Sequence, residues 1–243
     1  MHGYANPARF LRLARLLTAP LLIGGSVLAA LVLAWALLAA PAERLQGDSV
    51  KILFVHVPTA WLAMGGWSAI AIASLTELVW RHPLAGIAAR AVALPGAVFA
   101  ALCLITGSLW GRPAWGTWWV WDGRLTSMLV LLFLYLAYIA LADAATRDGQ
   151  GQSRIPAIFG LVGAVNIPVI HYSVLWWNSL HQPPSITAGN SEMAAPFLIG
   201  LLTATLAFSL LFGGVVLARM RTILADAQAE ARLRRRAMEA ADV

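Results

Sequence analysis

Six separate apolar runs constrain this chain more than anything else in it, because each is about as long as the 20 residues a helix needs to cross roughly 30 Å of hydrocarbon. They fall near 16–40, 52–80, 84–109, 125–142, 156–176 and 194–218. In lipid a helix satisfies its own backbone donors and acceptors, so the pattern predicts an all-α membrane protein of six transmembrane helices. A soluble reading fails on composition: 60% of the residues are hydrophobic and 12% charged, too few polar groups to cover a water-facing surface. The first run follows Arg9, Arg12 and Arg15 and ends near Ala40 and Ala42, in the manner of a signal peptide. At about 25 residues it exceeds a signal h-region and is read as a helix. With no internal repeat or long linker, residues 1–243 form one polytopic domain.

Charge placement gives the orientation. Segments on the cytoplasmic side retain Lys and Arg. With the N-terminus inside, the inner segments hold Arg9, Arg12, Arg15, Arg81, Arg90, Arg147, Arg154, Arg219, Arg221, Arg232, Arg234, Arg235 and Arg236, thirteen of the 17 basic residues. The other four, Arg44, Lys51, Arg112 and Arg124, fall outside. Both termini are therefore expected in the cytoplasm, with 219–243 as a basic cytoplasmic tail. The net charge of +6 reads as topology and calls for no nucleic acid. The tail itself is either a solvated stop-transfer flank or an Arg-rich helix near anionic lipid.

Several chemistries drop out. A thiol-redox carrier needs a cysteine pair, and Cys103 is the single cysteine. There is no glycine-rich phosphate loop with its lysine and no HExxH helix, so neither ATP hydrolysis nor zinc proteolysis is indicated, and the chain is not expected to be an enzyme.

The segment between the third and fourth runs, 110–127, is expected to be a loop on the outer face. It carries Trp110, Trp115, Trp118, Trp119 and Trp121, followed by Asp122 and Arg124. Interfacial anchoring explains some indoles at helix ends, but an anchoring belt occupies both faces, whereas Trp176 and Trp177 join these five on the outside and the inner edge shows mainly Trp80. A shelf of indoles suits a large, flat, aromatic ligand, which porphyrin is. Such a ligand needs imidazoles for its iron and donor groups for its propionates.

His56, in Val55-His56-Val57-Pro58, starts the second helix at the outer face, and His181 follows the fifth within Trp176-Trp177-Asn178-Ser179-Leu180-His181-Gln182. On a helix His56 shares its stripe with Ala60, Ala63 and Trp67, small neighbours that leave room for a flat ligand or a neighbouring helix. His171 is read as a partner to the bundle, while His2 and His82 lie on the inner side. Asp122 either caps the fourth helix or orients an imidazole or indole. Arg124 either pairs with Asp122 or meets a propionate, and Arg112 is a weaker candidate for the latter.

The run Trp115-Gly116-Thr117-Trp118-Trp119-Val120-Trp121-Asp122-Gly123-Arg124-Leu125-Thr126-Ser127 resembles the tryptophan-rich WWD signature of haem-handling proteins in cytochrome c maturation. His56-Val57-Pro58 and the segment Trp176 to Gln182 narrow the resemblance, over most of the chain, to the haem exporter protein C (CcmC) family. Leu175 departs from it where some relatives carry an acidic residue; Gly123 and Met128 also look like points of variation. The resemblance implies that His56 and His181 are axial haem residues. Trp115, Trp118, Trp119, Trp121, Asp122 and Arg124 then form the haem-binding loop. It further implies a b-type haem held non-covalently and transiently at the periplasmic face of the bacterial inner membrane, then delivered to a periplasmic haem chaperone. An ABC-type ATPase and permease and a small single-helix subunit would be partners. A b-type membrane cytochrome carrying electrons is the alternative, but such proteins usually ligate haem within the bundle, away from an exposed loop. A permease without haem leaves the tryptophans unexplained.

Overall fold

The computed structural model describes residues 7–147, 154–177, 179–181, 186–187, 190–191 and 193–241. Among them, six helical spans are long and apolar enough to cross a membrane. The helices are α1 (Pro7–Leu38), α2 (Leu53–Trp80), α3 (Ala85–Trp115), α4 (Gly123–Arg147), α5 (Ile155–Gly163), α6 (Asn166–Trp176) and α7 (Ala195–Ala241). A 3₁₀ turn, Asp48–Ile52, leads into α2, and a two-residue antiparallel pair, Ile186–Thr187 with Asn190–Ser191, lies between α6 and α7.

The first helix begins at Pro7 rather than near 16 and the fourth runs to Arg147 rather than 142, and three further differences from the apolar runs have identifiable consequences. The third helix does not end near residue 109 but continues to Trp115, so Trp110 and Trp115 stand on helix and the irregular connection shrinks to 116–122. Gly116 makes the stop: its φ of 79° is a left-handed cap, and its N–H bonds the Arg112 carbonyl at 3.0 Å. The Arg112 side chain donates to the Gly116 carbonyl and so is used at the same cap.

The fifth span is broken into α5 and α6 around Ala164 and Val165. Pro168 accounts for the break, because it lacks an N–H and its ring crowds the carbonyl four residues earlier, that of Ala164. Consequently α5 packs against α2 and α4, whereas α6 turns mainly to α4 and barely meets α2. The last helix runs unbroken for 47 residues, about 70 Å at 1.5 Å per residue. That is roughly twice the hydrocarbon thickness, so the basic tail is a helical continuation of the last span.

The packed centre surrounds Trp67, which is fully buried and edge-on to Tyr135 at 5.0 Å, Tyr138 at 6.1 Å and Phe159 at 6.3 Å. Glycines make this layer possible. A Cβ on Gly163 would collide with the Trp67 ring, and one on Gly66 would lie 2.6 Å from the Tyr135 hydroxyl. That hydroxyl donates to the Ala63 carbonyl at 2.7 Å, which anchors α4 to α2. A second apolar cluster, including Val32, Phe54, Leu201 and Ala204, joins α1 and α7 to the start of α2.

Candidate functional site

Above the Trp67 layer, at the end of the bundle where α2 begins and α3 finishes, the helices separate around a cavity of about 550 Å³. That is within the range of small-molecule and cofactor sites. Its walls include Ala60, Trp61, Met64, Trp110, Trp115, Trp119 and Met128, with polar groups from His56, Arg124, His171 and His181. Residues 45 and 46 from the connection between α1 and α2 close part of the rim. Gln46 is fixed there because its side-chain oxygen accepts the Trp110 indole N–H at 2.8 Å.

His56 is positioned by helix packing. Its Nδ1 lies 3.1 Å from the Cys103 carbonyl and 3.1 Å from the Thr106 hydroxyl, both on α3. With Nδ1–H donating to the carbonyl, Nε2 is the nitrogen left for a ligand. Gly107 lets the ring lie against α3, since a Cβ there would be 2.9 Å from His56 Cε1. Trp110 meets the ring edge-on at 5.7 Å.

His181 has no helix to position it and is held by side chains. Its Nδ1 is 3.1 Å from Asp122 Oδ2, its backbone N–H donates to the Ser179 hydroxyl at 3.1 Å, and Ser179 donates to the same carboxylate oxygen at 2.5 Å. Trp115 contacts the imidazole at 4.7 Å between ring centres. Asp122 performs both roles considered for it from the sequence. Oδ1 accepts the Leu125 N–H at 2.8 Å, capping α4, while Oδ2 faces Ser179 and His181.

Protonation follows from these contacts. Burial pushes the Asp122 carboxyl up, but hydrogen bonds from Ser179, Leu125 and His181 outweigh it, leaving the group below the usual carboxylate value. Burial pushes the His181 imidazole down, opposed by Asp122 and reinforced by Arg124, and the net direction is down. His181 is therefore neutral near neutral pH, the form that can ligate a metal.

The remaining expected residues divide. Trp115, Trp119 and Arg124 line the cavity. Arg124 donates to the His171 carbonyl at 3.3 Å. Trp118 and Trp121 lie outside the lining and are exposed, 54% and 75% respectively. Of the stripe that His56 begins, Ala60 reaches the cavity, but Ala63 and Trp67 turn into the packed centre. The room beside the histidine is open cavity at one end and is filled by neighbouring helices further in. His82 lies at the opposite end, in the α2–α3 connection, where its Nδ1 accepts the Leu84 N–H. His2, Asn178 and Gln182 lie outside the described residues.

Sequence reasoning did not place Trp61, Met64, Met128, His171, Gln46 or Gly107 at the site. Met64 carried a weak signal, lying one turn beyond Ala60 of the His56 stripe on the same helix. Gln46 and Gly107 carried none, since their roles depend on which helices meet.

Fold and site together define a polytopic helical membrane protein with an aromatic cavity bearing two positioned histidines at one end of its bundle. The family model described as Heme exporter protein C matches residues 1–235, and the chain belongs to that family. A Heme exporter protein C of Bradyrhizobium diazoefficiens is 51% identical over 219 residues, covering 89% of this chain and 82% of the relative. The protein of that name in Escherichia coli strain K12 is 41% identical over 224 residues, 92% and 90% of the two chains. A putative cytochrome c biosynthesis ccmC-like mitochondrial protein of Marchantia polymorpha is 39% identical over 185 residues, 76% and 78% of the two.

Proposed function

We propose that this protein handles haem for the biogenesis of c-type cytochromes, binding it non-covalently and transiently in the cavity and presenting it to a periplasmic haem chaperone. The observation that carries the reading is the pair His56 and His181. They reach one aromatic cavity from different walls, and each has Nδ1 engaged so that Nε2 is available to iron. Trp115 and Trp119 supply flat apolar wall, and exposed Trp121, edge-on to Trp119 at 5.3 Å, extends that aromatic surface outward. Arg124 offers guanidinium donors to a propionate from within the lining.

Bacterial relatives such as those of Bradyrhizobium and Escherichia support an inner-membrane location, and the basic-residue imbalance supports this end of the bundle facing the periplasm with both termini in the cytoplasm. The family's printed name, heme exporter, fits transport and assembly with haem as cargo. Release would then require a change in the ligation of iron, driven from outside this chain by an ABC-type ATPase and permease acting with a small single-helix subunit.

Incubating the haem-loaded protein with a purified periplasmic haem chaperone tests the reading. Haem leaving with the chaperone is the expected result. Haem retained through repeated quinol-driven reduction and reoxidation, with none transferred, would make the protein an electron carrier instead.

A further inference from the structure

The two histidines are held by chemically different partners. The acceptors facing His56 Nδ1, the Cys103 carbonyl and the Thr106 hydroxyl, are both neutral, and among the described residues no carboxylate hydrogen-bonds that ring. Nδ1 of His181 faces an oxygen of Asp122, whose side chain is 3% exposed. An Asp acting only as a helix cap needs one oxygen, and Oδ1 already fills that role through Leu125. The second oxygen is fixed by the Ser179 hydroxyl at 2.5 Å, and the same hydroxyl accepts the His181 backbone N–H. Carboxylate, hydroxyl and imidazole thus form a closed clasp that fixes the ring where no helix does so.

We infer that Asp122 is a positioning residue that acts through His181, making it the more strongly donating of two unequal axial haem ligands. This rests on the reading of His56 and His181 as the axial pair. A buried carboxylate accepting from Nδ1–H gives the imidazole anionic character and strengthens its bond to iron. A carbonyl or hydroxyl does so less. Ferric iron gains more from an anionic donor than ferrous iron does, so the clasp favours the ferric form and lowers the reduction potential of bound haem.

The test uses the full chain in detergent, loaded with haem. Asp122→Asn keeps a good N-cap for α4 and removes the charge. The expected result is haem binding weakened about tenfold, as for loss of a carboxylate behind a ligating histidine. The reduction potential should move upward, and part of the low-spin spectrum should become high-spin. Ser179→Ala, which leaves the cap untouched, should shift both in the same direction by less. Added to His181→Ala, Asp122→Asn should change neither spectrum nor potential further.

A potential and spectrum like those of the unaltered protein in both Asp122→Asn and Ser179→Ala would reduce Asp122 to a cap and overturn the proposal. So would an equal shift caused by Asp122→Asn in the His181→Ala background. A low-spin spectrum that survives His181→Ala itself would instead remove the axial reading beneath it.

Discussion

Tryptophan serves opposite ends in two regions of this bundle. Around Trp67 the neighbours close in: Tyr135, Tyr138 and Phe159 meet the indole edge-on, Gly163 leaves the space its ring fills, and Gly66 and Gly96 do the same for Tyr135. Around Trp110, Trp115 and Trp119 the same residue type borders about 550 Å³ of space. The difference lies in what surrounds the rings. In the first region aromatic area is covered by protein, and in the second it faces an open cavity of the size that cofactor sites have.

Substitutions should separate the regions cleanly. Trp67→Ala removes a fully buried ring and should cost about 3–5 kcal/mol, read as a fall in the thermal midpoint in detergent, with haem binding lost only as the fold is lost. Trp115→Ala should leave that midpoint nearly unchanged while haem retention falls. Equal loss of stability in the two variants would erase the distinction.

Glycine replacements sharpen it. Gly163→Ala drives a methyl into the Trp67 ring and should cost about 1–3 kcal/mol, since overpacking a full core forces its neighbours to shift. Gly107→Ala pushes on His56, which borders open space and can give way. Its expected signature is an altered haem spectrum at little cost in stability, and a spectrum unchanged beside a large destabilisation would contradict it.

The two regions were unequally legible in the sequence. Hydropathy alone sets the six spans, because lipid demands long apolar helices. It does not show that Pro168 divides the fifth span or that α3 runs on to Gly116, since Trp110, Gly111, Arg112 and Pro113 have the composition of a loop. His56 and His181 stood out because polar residues at apolar helix ends are conspicuous. Both roles of Asp122 could be read as alternatives, but not that one carboxylate fills them together or that the imidazole is that of His181, 59 positions away. Gln46 beneath Trp110 was hidden for the same reason, at a separation of 64.

The smallest expected effect is on pH dependence, and it belongs to the cavity end. Because His181 titrates below the ordinary imidazole value of 6.5 in the folded chain, protonation opposes the native arrangement. Its contribution to stability is present above 6.5 and is lost as pH falls toward and through the lowered value. Asp122, also lowered, contributes stability above the ordinary carboxylate value of 3.8 and loses it at still lower pH. Thermal midpoints of the haem-free protein should therefore be level above about pH 6.5 and decline in acid, with the His181 part of that decline absent in His181→Ala. A midpoint that rises on acidification through this window would reverse the sign.

The central claim is that one cavity holds haem iron between His56 and His181, and the absorption spectrum of the detergent-purified protein tests it most directly. Unaltered protein loaded with haem should show a six-coordinate, low-spin spectrum, and His56→Ala and His181→Ala should each lose that signature and much of the bound haem. A spectrum and haem content unchanged in both variants would contradict the account.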